Sequence, residues 1–166
     1  MIETIYKTLI NKALSPESIV FIMSFLPISE LRGAIPVGLL KMHLPLLKTY
    51  FIAVAGNMVP VIPLLLLLEP LSNKLRTFKV WAKFFDWLFA RTRKKAKLVE
   101  RFEALGLMLF VCVPLPVTGA WTGCIAAVLF KIPVRVAFCA ILLGVMIAGV
   151  IVTLLTTLTT GITNGF

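Results

Sequence analysis

Two apolar runs in this sequence are each broken at their middle by prolines and then by a Gly-Ala pair. The first is Phe25-Leu-Pro-Ile-Ser-Glu-Leu-Arg-Gly-Ala-Ile-Pro-Val-Gly38, and the second is Phe110-Val-Cys-Val-Pro-Leu-Pro-Val-Thr-Gly-Ala-Trp-Thr-Gly123. Only the first carries charge, at Glu30 and Arg32. A helix interrupted by proline leaves backbone groups unpaired, and hydrocarbon tolerates them only where they are buried in protein or face water. The breaks therefore predict two short helices meeting at a bend, entering and leaving on one side, in place of one straight crossing.

That argument requires a membrane, and composition supplies it. The chain has 166 residues, of which 60% are hydrophobic, and its mean hydropathy is +1.02. Soluble domains are nearer 45–50% apolar, counted with glycine. Residues 49–68 and 134–158 each hold ~20 or more mostly apolar residues, enough to cross a ~30 Å hydrocarbon core. The expected class is an all-α integral membrane protein in one domain, residues 1–166.

The net charge of +10 does not point to nucleic acid. Ten of the 17 Lys and Arg residues lie between Lys74 and Arg101, beside apolar segments. This is the positive-inside pattern and places the linker, residues 70–103, in the cytoplasm of a multi-pass inner-membrane protein. Within it, Leu71, Leu75, Phe78, Ala82, Phe85 and Phe89 follow helical spacing. Trp81 and Trp87 suit the headgroup level, so 72–90 reads as an interfacial helix whose partners are membrane lipids. Basic residues at five of the seven positions 91–97 suit anionic headgroups.

Residues 1–14 read as a second interfacial helix rather than a signal peptide. Ile2, Ile5, Leu9 and Ala13 share one face, and Glu3 stands where a basic region would be. Ser15 and Pro16 then form a helix start. Cys112, Cys124 and Cys139 lack metal-ligand spacing and read as buried thiols. No metal, cofactor or catalytic residue is expected, and the chain is not read as an enzyme.

The chain also repeats. Gly33-Ala34 matches Gly119-Ala120. Pro45 and Pro133 each open an apolar helix, followed by Lys48 or Arg135 and then by Gly56 or Gly144. Each half, 16–69 and 104–160, is expected to hold one re-entrant hairpin and one transmembrane helix. A single crossing before the linker inverts the second half, the plan of many secondary transporters. Charge alone does not decide this. Hairpins and four plain crossings both place 12 basic residues inside and leave four outside once Arg32 is set aside. Ala140, Gly144 and Ala148 form a small-residue stripe for packing against the other half or for a homodimer.

The two motifs, Pro-Ile-Ser-Glu-Leu-Arg-Gly-Ala-Ile-Pro (27–36) and Pro-Leu-Pro-Val-Thr-Gly-Ala-Trp-Thr-Gly (114–123), together resemble the small multi-drug export protein family over nearly the whole chain. They are distantly similar to the DedA and SNARE-associated membrane proteins. That wider resemblance implies a transporter fold with paired hairpins, and its members move lipids, including undecaprenyl phosphate. Thr118 and Thr122 stand where a DedA-type protein would carry arginine.

Physical chemistry assigns candidate roles. Arg32, with amides at a broken helix, suits an anion such as a phosphate headgroup. Glu30 is the candidate proton carrier, neutralising Arg32 until protonated. Ser29, Thr118, Thr122 and Asn57 complete the substrate-binding set with hydroxyls and an amide. Glu30 and Arg32 are two residues apart and do not share a regular helix face, so different partners are expected for each. The leading function is an ion-coupled transporter or lipid translocase. The alternatives are an exporter of lipophilic cationic drugs and a non-transporting scaffold.

Overall fold

The computed structural model describes residues 2–10, 14–67, 103–114 and 119–163, and all regular structure among them is helical. Helix α1 (Ile2–Ile10) precedes α2 (Pro16–Phe25). Helix α3 (Glu30–Pro36) runs into a π-helical turn, Val37–Lys41. Helix α4 (Leu46–Met58) resumes after a turn as residues 61–67. In the second half, α5 (Glu103–Cys112), α6 (Ala120–Leu129) and α7 (Val134–Thr163) follow. Nearly all of the basic linker, with the expected interfacial helix 72–90, lies outside the described residues.

Among the described residues, two segments are long and apolar enough to cross a membrane, Leu46–Leu67 with 22 residues and Val134–Thr159 with 26. At 1.5 Å per residue they reach about 33 and 39 Å, beyond the ~30 Å of a hydrocarbon core. Their outward faces carry exposed Leu47, Phe51 and Leu66 on one and Leu143, Val150 and Leu158 on the other. Water does not suit so much apolar surface, and a bilayer does.

The legs between the breaks are short. Helix α2 starts as its sequence implies, with Pro16 in its first turn and the Ser15 hydroxyl accepting from the Ser18 amide at 3.3 Å. Leu26 is extended at its end, as a residue before proline should be. Its 10 residues cover about 15 Å, half a hydrocarbon core. After the turn, α3 packs back along α2. Pro36 cannot donate a backbone hydrogen bond, and the helix relaxes into the π turn immediately after it. The ends of this unit lie together, because Lys48 on α4 pairs with Glu17 on α2 at 2.6 Å and Lys41 pairs with Glu3 on α1.

The two halves use the same packing devices. In each, the long helix lies against the first short leg, α4 on α2 and α7 on α5. A Cβ at Gly56 would fall 2.5 Å from the Phe21 carbonyl oxygen, and one at Gly144 2.8 Å from that of Met108. Neither site accommodates a side chain. In each half, the second leg ends on a left-handed residue two positions before the proline that opens the long helix: His43 (φ 50) and Lys131 (φ 56). The halves join where α3 and α4 pack on α7, and the Tyr50 hydroxyl donates to the Met146 carbonyl at 3.0 Å.

Three expectations need correction. Gly33-Ala34 and Gly119-Ala120 do not occupy like positions: Gly33 lies inside α3, whereas Gly119 precedes α6 as its cap. The first break closes at Glu30 and the second only at Gly119, which shifts the register. Cys112 and Cys124 are buried, but Cys139 is exposed on the outer side of α7. Within the small-residue stripe, Gly144 meets α5 of its own half, while Ala148 reaches the first half's charged motif through a shared cavity.

Candidate functional site

The site begins at the turn between α2 and α3. Glu30 adopts φ 44, a left-handed conformation uncommon for a residue with a side chain. Such conformations persist where surrounding contacts fix them, and they cluster at functional sites. Its amide donates to the Leu26 carbonyl at 3.0 Å, closing the turn. The carboxylate is buried, with a side-chain exposure of 7%.

Arg32 Nη2 lies 3.3 Å from Glu30 Oε2, and the guanidinium is 25% exposed. Separate partners had been expected, because positions two apart diverge on a regular helix. The left-handed backbone at Glu30 breaks that regularity and turns its carboxylate toward Arg32.

The same carboxylate reaches the second motif. A Cβ at Gly119 would fall 2.0 Å from Glu30 Oε2, so only glycine leaves room for it. The Trp121 backbone N–H, in the first turn of α6, donates to the carboxylate, where the helix end also presents partial positive charge. The Trp121 indole N–H donates to the Phe25 carbonyl at 3.1 Å, and its ring meets that of Phe25 edge-on at 6.2 Å. Trp121 was missing from the expected site. Its signal was a bulky donor beside a Gly-Ala pair in a charge-free run, since buried indoles usually find a hydrogen-bond acceptor.

A cavity of ≈ 10 Å³ lies beside this junction, lined by Glu30, Arg32, Asn57, Pro114, Gly119 and Ala148 among others. That is about the room one water needs. Asn57 is 2% exposed, and its side-chain oxygen has no hydrogen-bond partner among the described residues.

Of the expected site residues, the structure gathers Glu30, Arg32 and Asn57 around this cavity. Ser29 does not line it, because its hydroxyl donates to the Met23 carbonyl within its own turn. Thr122 does not line it either, and its hydroxyl donates to the Gly119 carbonyl at 3.2 Å. Thr118 lies outside the described residues. Among the described residues, no group of three His, Cys, Asp or Glu could hold a metal ion.

Residues 30–151 match the family model described as "Putative small multi-drug export protein". The chain belongs to this family. No curated protein and no solved structure matches it. The family match opens at Glu30 and takes in Arg32, Asn57, Gly119 and Trp121. Family description and apolar spans agree on a membrane protein, and the description names export.

Proposed function

We propose that this small multi-drug export family member is an ion-coupled secondary transporter whose substrate site lies where the two broken motifs meet. It acts by moving a substrate, not by catalysis or scaffolding. The observation that carries this reading is the pairing of a buried Glu30 with a partly buried Arg32, set against Gly119 and the Trp121 amide. Ionisable groups at membrane depth are costly, about 2.5–3.5 kcal/mol each on insertion scales, and mark pathways more often than scaffolding.

In this reading, α2 with α3, and α5 with α6, are re-entrant hairpins of about half-membrane length. The two halves are inverted, and their tips meet near the midplane. The basic linker lies on the cytoplasmic side of the inner membrane. The short legs, the shared ends of the first hairpin and the repeated packing of α4 and α7 support this arrangement. Its test is cysteine labelling at Lys12 and Lys41 in a background lacking native cysteines. Both should react from the outer face, and opposite faces would establish a plain crossing.

The preferred substrate is an anionic lipid phosphate such as undecaprenyl phosphate. Arg32 and the start of α6 already hold one oxyanion, the Glu30 carboxylate. Protonating Glu30 releases both for a substrate oxyanion. The small cavity then corresponds to a closed state that opens when the two motifs separate. A second reading, export of lipophilic cations, is favoured by the acceptors Glu30 and Asn57 and by the family's description. Flux assays in proteoliposomes, comparing a polyprenyl phosphate with a lipophilic cation under an imposed proton gradient, decide between them. Gradient-dependent movement of the phosphate is expected, movement of the cation alone selects the second reading, and movement of neither overturns the transporter.

A further inference from the structure

Among the described residues, Asn57 presents an acceptor with nothing to accept. Its oxygen is buried without a partner there, in a cavity of ≈ 10 Å³ that Glu30 also lines. Buried polar atoms are nearly always satisfied, so each exception asks for a reason. An ionised Glu30 offers none, because a carboxylate only accepts. A protonated Glu30 carries an O–H donor.

We propose that Asn57 is the acceptor for protonated Glu30: on taking a proton from water, the carboxyl group turns from Arg32 and donates to the Asn57 side-chain oxygen. This rests on the reading of Glu30 as proton carrier and adds what holds the protonated form. Ionised Glu30 is held by Arg32 and the Trp121 amide and leaves Asn57 unsatisfied. Neutral Glu30 satisfies Asn57 and withdraws from Arg32. The proton thereby moves the carboxyl between a partner on α3 and one on α4, two elements in contact with each other and with α7.

Among the described residues, Arg32 is the only other charged side chain lining the cavity. On the surrounding elements, Glu17 pairs with Lys48, and Lys41 with Glu3, at the far end of the hairpin. Arg135 lies ten residues before Val145, the first cavity residue on α7, about 15 Å along a helix. The Tyr50 hydroxyl donates to Met146, the Cys112 thiol to Leu109 and the Cys124 thiol to Val61. These groups and Cys139 do not line the cavity, so among the described residues no second titratable side chain there competes with Glu30.

The test is a pH titration of the reconstituted protein by difference infrared spectroscopy, with Glu30→Gln assigning the carboxyl band. In Asn57→Leu the protonated Glu30 band should move to higher frequency as its hydrogen bond is lost. Its titration midpoint should fall by about one pH unit, because only the neutral form loses a partner. Asn57→Gln keeps an acceptor and should retain most of the native behaviour. Thermal unfolding adds a second readout: Asn57→Leu should be at least as stable as the native protein at alkaline pH and less stable in acid. An unchanged band and midpoint in Asn57→Leu, or a raised midpoint, overturns the proposal. Neither readout requires transport. A linked Glu30 and Asn57 without flux would refute the transporter alone, and flux without the link would refute this inference alone.

Discussion

The two broken motifs are alike in sequence and unlike in what they contribute. The first, 25–38, supplies side chains: a carboxylate turned inward by a left-handed backbone, and the guanidinium beside it. The second, 110–123, supplies space at Gly119 and a backbone donor at Trp121. Its lack of charge is the condition for its role, since a side chain at Gly119 would occupy the volume of the Glu30 carboxylate. The scaffold around them repeats, with Gly56 and Gly144 each admitting a backbone carbonyl. Packing is thus shared between the halves, and the charged pair sits at their junction.

The largest effects should come from the charged motif. Arg32→Gln should abolish phosphate flux, and Lys should rescue only in part because it lacks the planar fork. Glu30→Gln should remove the dependence of flux on pH. Breaking a buried pair costs ~3–5 kcal/mol, and the partial exposure of Arg32 places each single change below that range. The double change should recover much of the loss, as coupled neighbours do. Undiminished flux in Arg32→Gln would remove the anion site and leave cation export through Glu30.

Glycine substitutions sharpen the contrast between the motifs. Gly119→Ala must displace the Glu30 carboxylate, so a loss of about 1–3 kcal/mol from overpacking should accompany a loss of flux. Gly33→Ala meets the Ser29 Cβ at 2.9 Å, but alanine favours the helix by up to ~1 kcal/mol. It should therefore change stability less and leave flux largely intact. Equal effects on flux at both positions would break the asymmetry.

Gly56→Ala and Gly144→Ala test the shared scaffold. Each new methyl meets a backbone carbonyl that cannot swing away, so both should lose stability by a similar amount, on the order of 1–3 kcal/mol. Thermal unfolding in detergent measures this. A loss at one position only would show that the halves do not use their glycines alike.

The sequence shows clearly where helices break and unevenly what meets there. Prolines and the Ser15 cap located the breaks and the start of α2, because those signals act within a few residues. The equal spacing of Gly56 and Gly144 from Pro45 and Pro133 marked equivalent close contacts, because helical geometry makes spacing a spatial measure. That Glu30 neutralises Arg32 was legible from their charges, but their direct hydrogen bond was not, since it follows from a left-handed residue that tertiary packing stabilises against local preference. The roles of Gly119 and Trp121 were hidden for a related reason: both act through backbone and volume on a residue about ninety positions away. Ser29 and Thr122 have the right groups for a binding site, yet nearby carbonyls take up their hydroxyls, as short polar side chains allow.

The smallest effect concerns the end of the α2–α3 unit that lies away from Glu30. There Glu17 pairs with Lys48 and Glu3 with Lys41, whereas Lys131 and Arg135 form no ion pair among the described residues. A hydrogen bond from Lys48 holds the Glu17 carboxyl below its ordinary value, and one from Lys41 does the same for Glu3, with each lysine's charge adding to it. A carboxyl held low in the fold binds fewer protons than it does unfolded. Its contribution is therefore complete above the unfolded value, about 4.3, and is lost as pH falls through the lowered folded value. All four groups are exposed at the surface, so salt should screen the pairs and the effect should be small. Lys48→Met should lower the unfolding temperature slightly at neutral pH and low salt, and the difference should vanish in strong acid or high salt. Arg135→Met, without such a partner, should show no comparable pH dependence. A Lys48→Met deficit that persists in strong acid would mean that the lysine stem, rather than its charge, holds that end of the α2–α3 unit.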